Sequence, residues 1–327
     1  MSLAVGVIGA GVMGAEHARI LRENVSGAHL AAICDADPAR AAAAGPGARF
    51  FADPHALIAS DAVAAVVIAS PDATHAEFTL AAIRLGKPVL CEKPIAADAA
   101  AGLGVVEAEA ALGRRLVQLG FMRRFDAAYG EMRRARQDGS IGAIRLLHNI
   151  HRNRAAPSWF TGAMALTNSF VHEIDISRWL LGSEMVAAQI FPAAGGGPLM
   201  IVMRTEKGEI VSTEVNVNAG YGYHVHAELV GSQGTIEMAA PARTLCNLAG
   251  ARSFAFPSDW IPRFAQAYRT QTQAWVDAIA AGTSAGASAW DGYVTTVIAE
   301  RLVAALDAGQ AVEIALPPRP ALYAEAA

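Results

Sequence analysis

Six residues near the amino terminus, Gly9-Ala10-Gly11-Val12-Met13-Gly14, constrain the fold more than any other feature of the chain. They follow the apolar run Val5-Gly6-Val7-Ile8 and open an amphipathic stretch, and Asp35 closes the next apolar run, Leu30 to Cys34. Glycines at this spacing between a strand and a helix, with an acid after the following strand, form the fingerprint of a dinucleotide-binding βαβ unit. Gly9 permits the tight turn, Gly11 lets backbone approach a pyrophosphate, and Gly14 lets helix and strand pack closely. The helix start, through Val12 and Met13, turns unpaired N–H groups toward the anion. Asp35 accepts hydrogen bonds from a ribose 2′-hydroxyl and repels a 2′-phosphate; with Asp37 beside it and no basic residue before Arg40, the cofactor expected is NAD rather than NADP. Methyltransferases share a glycine-rich turn and an acid after the second strand, so the motifs farther along must decide.

The rest of the chain extends this pattern. Ala65 to Ile68, Val89 to Cys91 and Leu116 to Leu119 read as further strands of a buried parallel sheet, separated by alanine-rich helical stretches. One of these begins at Asp72-Ala73-Thr74-His75 and stops at Gly86-Lys87-Pro88. Beyond Phe121 the texture changes. Helices fit 126–137 and 169–181 and a strand fits 144–151; alternating runs at 199–204, 210–217, 223–230 and 235–238 are separated by glycine turns. Two helical segments, 263–281 and 290–308, follow. The expected fold is α/β: a doubly wound Rossmann domain over 1–120 and an α+β domain on a mostly antiparallel sheet over 121–327.

Composition excludes other classes. At 53% hydrophobic, with 26 Lys and Arg against 30 Asp and Glu and a net charge of −4, the chain is neither disordered nor a nucleic-acid coat. No apolar run reaches the ~18 residues of a membrane span. No signal peptide precedes Ala4, so a cytoplasmic protein is expected. Cys34, Cys91 and Cys246 are scattered without metal-type pairing, and His224, His226 and Glu228 lack a third convergent ligand partner, so no metal is expected.

Cys91-Glu92-Lys93-Pro94 lies just past a parallel strand, at the sheet edge where such folds bind ligands. A lysine there either assists proton transfer at a substrate hydroxyl or is a surface lysine before a helix-starting proline. His151 and Asn153 sit two apart on one strand, so they share a face while His148 takes the other. Tyr221 and Tyr223 are expected together on the face opposite His224, where Tyr223 either reaches the site or fills the core.

With these residues in view, the chain resembles the glucose-fructose oxidoreductase, inositol dehydrogenase and MocA family over nearly its whole length. The resemblance rests on the glycine loop, Ser70-Pro71-Asp72-Ala73-Thr74-His75, Glu92-Lys93-Pro94, Gly120-Phe121-Met122-Arg123-Arg124-Phe125-Asp126 and His172-Glu173-Ile174-Asp175. The segment from Gly120 and Trp290-Asp291-Gly292-Tyr293 look most like the inositol 2-dehydrogenase branch. The resemblance implies an NAD(P)-dependent oxidoreductase, often a homotetramer, acting on a ring polyol or sugar, with myo-inositol the default substrate and NAD the cofactor that Asp35 favours. It makes Lys93 and His172 catalytic, with Asn168 beside them at the position of the family's aspartate, adds Ser70, Pro71, His75, Glu92 and Lys93 to the cofactor site, and makes Arg123, His151 and Asn153 substrate contacts; Lys93, Asn168, His172 and Tyr223 are expected to meet the substrate as well. One position departs from the family: the usual aspartate four residues before the histidine is Asn168. A neutral amide cannot offset an imidazolium charge, so Asn168 marks a different substrate, a slower enzyme, or lost catalysis. Two alternatives remain within the same architecture, a dehydrogenase of another sugar or aminosugar and an NAD-dependent glycosidase.

Overall fold

The structure, a computed structural model, describes residues 2–239, 244–306 and 310–324. The chain opens with β1 (Leu3–Ile8), α1 (Val12–Glu23), β2 (Ala28–Cys34), α2 (Pro38–Ala44), β3 (Arg49–Phe51), α3 (Pro54–Ala59) and β4 (Ala65–Ile68). Next come α4 (His75–Arg84), β5 (Val89–Cys91), α5 (Ala99–Leu112) and β6 (Val117–Leu119). All six strands run parallel in the order β3-β2-β1-β4-β5-β6. Because the order reverses at β1, a crevice opens outside the carboxyl ends of β1 and β4. Val5, Val7 and every residue of β4 are fully buried, as expected for strands covered on both faces and written as continuous apolar runs. Asp37, Asp53 and Asp98 cap α2, α3 and α5 by accepting first-turn N–H bonds.

The second part contains α6 (Ala127–Gln137), capped by Asp126, then β7 (Ile144–Arg152), α7 (Gly162–Met164), a π turn over Ala165–Ser169, and α8 (Val171–Leu181). Then follow β8 (Met185–Pro192), β9 (Leu199–Thr205), β10 (Ile210–Asn216), β11 (His224–Gly231), β12 (Thr235–Glu237), and a hairpin of β13 (Cys246–Leu248) and β14 (Ala251–Ser253). α9 (Trp260–Ala280), α10 (Ala289–Ala305) and β15 (Val312–Glu313) complete it. Seven strands form one sheet, β12-β11-β7-β10-β9-β8-β15, antiparallel throughout except at β7 and β10. α8 packs on β7 and buries every residue except Trp179, whereas on the sheet's open side Phe191, Met200 and Ile210 stay exposed.

The chain divides into two compact units, and the division is not a single cut. Met1–Met122, Tyr268–Val297 and Leu316–Ala327 make the first; Arg123–Ala267 and Ile298–Ala315 make the second. The sequence reading placed everything after residue 120 in one domain, but apolar side chains late in the chain complete the first core. Trp275 and Val276 pack with Val5, Val7, Ile33 and Leu90. Tyr323, near the end of the chain, donates its O–H to the buried Glu109 carboxylate at 2.7 Å. The helix expected to end at Ala308 reaches Ala305, and residue 308 lies outside the described residues. No helix among the described residues is long and apolar enough to cross a membrane.

Candidate functional site

The glycine loop is built as its sequence requires. Gly9 adopts φ +91°, in the left-handed region, and a Cβ on Gly14 would lie 1.8 Å from the Gly9 carbonyl oxygen. Gly11 differs, since a Cβ there would meet no atom within 4 Å. The chain's own packing does not demand that glycine, so the space it leaves is for an approaching ligand. As N-cap of α1, Gly11 contributes no side-chain bond to the first turn, and the N–H groups over Val12 and Met13 form an anion site of the usual helix-start type. Gly9, Gly11, Asp35, Ser70, Pro71 and Thr74 line a cavity of about 460 Å3, a volume within the range of cofactor clefts. Asp35 accepts from the Ala10 N–H at 2.7 Å and the Asp37 N–H at 2.8 Å, which fixes its carboxylate at the cavity wall. Arg40 is held by the same acids, 3.6 Å from Asp35 and 3.3 Å from Asp37. These residues fit an adenine dinucleotide with a free ribose 2′-hydroxyl.

Glu92 and Lys93 follow β5, and the Lys93–Pro94 peptide is cis. Burial opposes ionisation of Glu92. The hydrogen bond from His17 Nε2 at 2.8 Å and the charges of His17, Lys93 and His75 outweigh it, so its pKa lies below the ordinary carboxylate value. A buried, ionised carboxylate thus immediately precedes the lysine in the chain and interacts with its charge. His75 does not line the cavity. Its Nδ1 lies 2.6 Å from the Pro94 carbonyl oxygen and its Nε2 lies 2.9 Å from that of Ser70, tying the Ser70 loop to the lysine segment. Only an imidazolium can donate to both carbonyls. Burial works against that cation, but the Cys91 sulfur and the two carbonyls prevail and raise its pKa to about 10. Because the folded pKa is raised, the stabilisation is complete below the unfolded value of about 6.5 and is lost as pH rises through about 10. Urea unfolding should therefore show a wild-type advantage over His75→Asn that is constant at acid pH and shrinks between neutrality and pH 10.

In the second unit Arg123, His151, Asn153, Glu173 and Tyr223 converge. Glu173 on α8 is fully buried; its Oε1 accepts from Arg123 Nη1 and its Oε2 lies 2.9 Å from His151 Nδ1. Burial alone would raise its pKa, but the charges of Arg123 and His151 reverse the shift and keep it ionised. The other His151 nitrogen lies 3.2 Å from Asn153 Oδ1, and the Tyr223 ring meets the imidazole edge-on at 5.8 Å between centroids. Arg123 is only 1% exposed, with its guanidinium engaged by Glu173 and set over the Phe264 ring. It holds the cluster together from inside. His148, on the other face of β7, bonds to Ser212 instead. Glu173 is the residue the sequence reading missed: α8 also carries His172, Asp175, Ser177 and Arg178, so no local pattern singles out the one acid that pairs with Arg123. Replacing it with glutamine leaves a buried guanidinium uncompensated and should cost about 3–5 kcal/mol in chemical denaturation.

Two further expectations change. The helix near Ser169 starts instead at Val171, behind the π turn that holds Asn168. Asn168 and His172 are therefore not related by one regular α-helical turn; π turns of this kind recur at functional sites. Tyr221 and Tyr223 do not share an environment either. Gly222, at φ +148°, breaks the alternation, so Tyr223 is 3% exposed while Tyr221 is 47% exposed and bonds to Arg152 and His224. Asp175 accepts both Nε and Nη2 of Arg124, at 2.9 and 2.5 Å, and so braces α8.

A glycine loop of this build on a reversing parallel sheet, with a buried polar cluster on a second, antiparallel sheet, defines a two-domain dinucleotide-dependent oxidoreductase. Residues 3–121 match the oxidoreductase family with an NAD-binding Rossmann fold, and residues 129–237 match the GFO/IDH/MocA C-terminal domain. The chain belongs to the GFO/IDH/MocA family of oxidoreductases. Inositol 2-dehydrogenase 1 of Saccharopolyspora erythraea is 48% identical over 99% of both chains, and an inositol 2-dehydrogenase of Klebsiella pneumoniae is 41% identical over the same shares. The crystal structure of myo-inositol dehydrogenase from Lactobacillus casei, in complex with NAD(H) and myo-inositol, superposes with a TM-score of 0.95 at 30% identity. That match covers 99% of this chain and 100% of the other.

Proposed function

We infer that this protein is an NAD-dependent dehydrogenase that oxidises a secondary hydroxyl of an inositol to a ketone. The observation that carries this reading is the Gly11 and Asp35 cavity, shaped for a dinucleotide with an unphosphorylated ribose, in a chain related over its full length to inositol 2-dehydrogenases. Bound NAD supplies the hydride acceptor. His172 takes the proton of the reacting hydroxyl, and the Lys93 ammonium stabilises the developing alkoxide. His151, Asn153 and Tyr223 hold the neighbouring hydroxyls, and Arg123 and Glu173 fix the His151 ring. Asn168 contributes a neutral amide beside this chemistry, so it orients a hydroxyl or the imidazole by hydrogen bonding without stabilising the imidazolium by charge.

The cofactor preference follows from Asp35. In Asp35→Ser a charged acceptor for the ribose diol is lost, and the repulsion of a 2′-phosphate goes with it. Steady-state kinetics should show kcat/KM with NAD falling about 10- to 100-fold, with activity on NADP rising. The function itself is tested by NADH formation with NAD across inositol isomers, aldoses and aminosugars. Turnover of an inositol above all other polyols is expected; release of a sugar from a glycoside without net NADH would point to the glycosidase alternative.

The protein is further read as a cytoplasmic homotetramer. Phe191 and Met200 are paired across β8 and β9, and Ile210 is exposed farther along the same open side, apolar surface suited to burial against another copy. Light scattering should give four times the 34.0 kDa chain mass, and a monomer mass would contradict the assembly.

A further inference from the structure

His17 is out of character with its place in α1. It is fully buried on the face that otherwise carries Gly14, Ala18, Ile20 and Leu21, where an apolar side chain would pack without a desolvation cost. Its ring makes one hydrogen bond: Nε2 donates to Glu92 Oε1 at 2.8 Å, while Nδ1 has no partner. The Tyr268 ring of α9 meets it edge-on at 6.2 Å between centroids. The residue after β6 is fitted to the same carboxylate. A Cβ on Gly120 would stand 2.8 Å from the Glu92 carboxyl carbon and from both of its oxygens. The Gly120 backbone is outside the left-handed region, so this glycine serves the carboxylate and not a turn. Segments far apart in the sequence thus build one seat for one buried charge, and all of them lie in the first unit. The charged groups that act on the carboxylate are His17 from α1, His75 from the start of α4 and Lys93 from its own segment. Lys93 is the half-buried one of the three, and the only one to which the proposed reaction assigns a charge.

We propose that His17 is a positioning residue for the dehydrogenase reaction: it holds Glu92 as an ionised carboxylate, so that Lys93 keeps its ammonium charge when oxidised NAD brings a second positive charge to the site. This rests on the assignment of Lys93 to the developing alkoxide and supplies what that assignment needs. A neighbouring positive charge makes an ammonium lose its proton at lower pH, and an opposite charge beside it works the other way. Without the Nε2–H donor, burial drives Glu92 to take up a proton. Its negative charge then disappears, and the lysine gives up its own proton at lower pH.

The chain has three lysines, Lys87, Lys93 and Lys207, so each Cε signal can be followed in NMR titrations of the carbon-13 lysine-labelled protein, without cofactor or substrate. Lys87→Arg and Lys207→Arg assign the signals. His17→Leu should lower the Lys93 midpoint by about one pH unit and leave those of Lys87 and Lys207 unmoved. His17→Gln, whose amide N–H can reach the same oxygen, should keep the wild-type midpoint. Should His17→Leu fail to fold, Gly120→Ala, which pushes the carboxylate off His17 from the other side, is read in its place with the same expectation. In steady-state kinetics with NAD and an inositol, the alkaline limb of kcat should move down by the same interval, with little change in KM for NAD. An unchanged Lys93 midpoint in the folded variant overturns the proposal, as does an equal fall in His17→Gln. Absence of inositol turnover in the wild type would instead overturn the dehydrogenase reading, and the cofactor-free titration tells the two failures apart.

Discussion

Lys93→Met should lower kcat by about 1,000-fold with a much smaller change in NAD affinity. Methionine keeps the length and apolar stem of the side chain and removes only the charge at its tip, so packing and the Pro94 turn survive. The lost ammonium is the group assigned to the developing alkoxide, a charge that exists in the transition state and not in the bound alcohol. An interaction of that kind appears in kcat rather than in KM. Glu92 loses the Lys93 charge in the variant but keeps the hydrogen bond and charge of His17 and the charge of His75, which also favour its ionised form. Stopped-flow measurement of the first turnover separates the chemical step from product release. A reduction below tenfold would return Lys93 to the role of a lysine ahead of a proline.

His172→Gln should cost about 100- to 10,000-fold in kcat/KM, the range for removal of a positioned general base. The loss should be accompanied by a changed pH–rate profile if His172 is, as proposed, the base that takes the hydroxyl proton. A purely structural role would lower the melting temperature and leave the shape of that profile unaltered in the remaining activity. The π turn that holds Asn168 ends at Ser169, and His172 lies in the first turn of α8 just beyond it.

The parallel sheet and the cofactor loop were legible in the sequence for a physical reason. Strands buried on both faces must be apolar without interruption, and a turn that receives a pyrophosphate must be glycine at fixed spacing, so local composition reports tertiary position. β3 was not legible, since Arg49-Phe50-Phe51 is three residues long with Arg49 and Phe50 exposed. Nor was the Arg123–Glu173 pair, whose partners lie fifty positions apart and whose meaning depends on both being buried. Alternation across Tyr221 and Tyr223 failed at Gly222, where the backbone leaves the strand conformation. The return of Trp275 and Tyr323 to the first core depends on long-range packing, which no periodicity records. His151 with Asn153, by contrast, followed directly from the two-residue period of a strand.

Hydride transfer from a ring carbon of inositol to NAD is tested most directly by isotopic labelling. Incubation of the enzyme with NAD and myo-inositol deuterated at C2 should yield NADH carrying one deuterium by mass spectrometry, together with an equivalent of the ketone. NADH without deuterium, or no NADH from any inositol isomer while NAD binding persists, would contradict it.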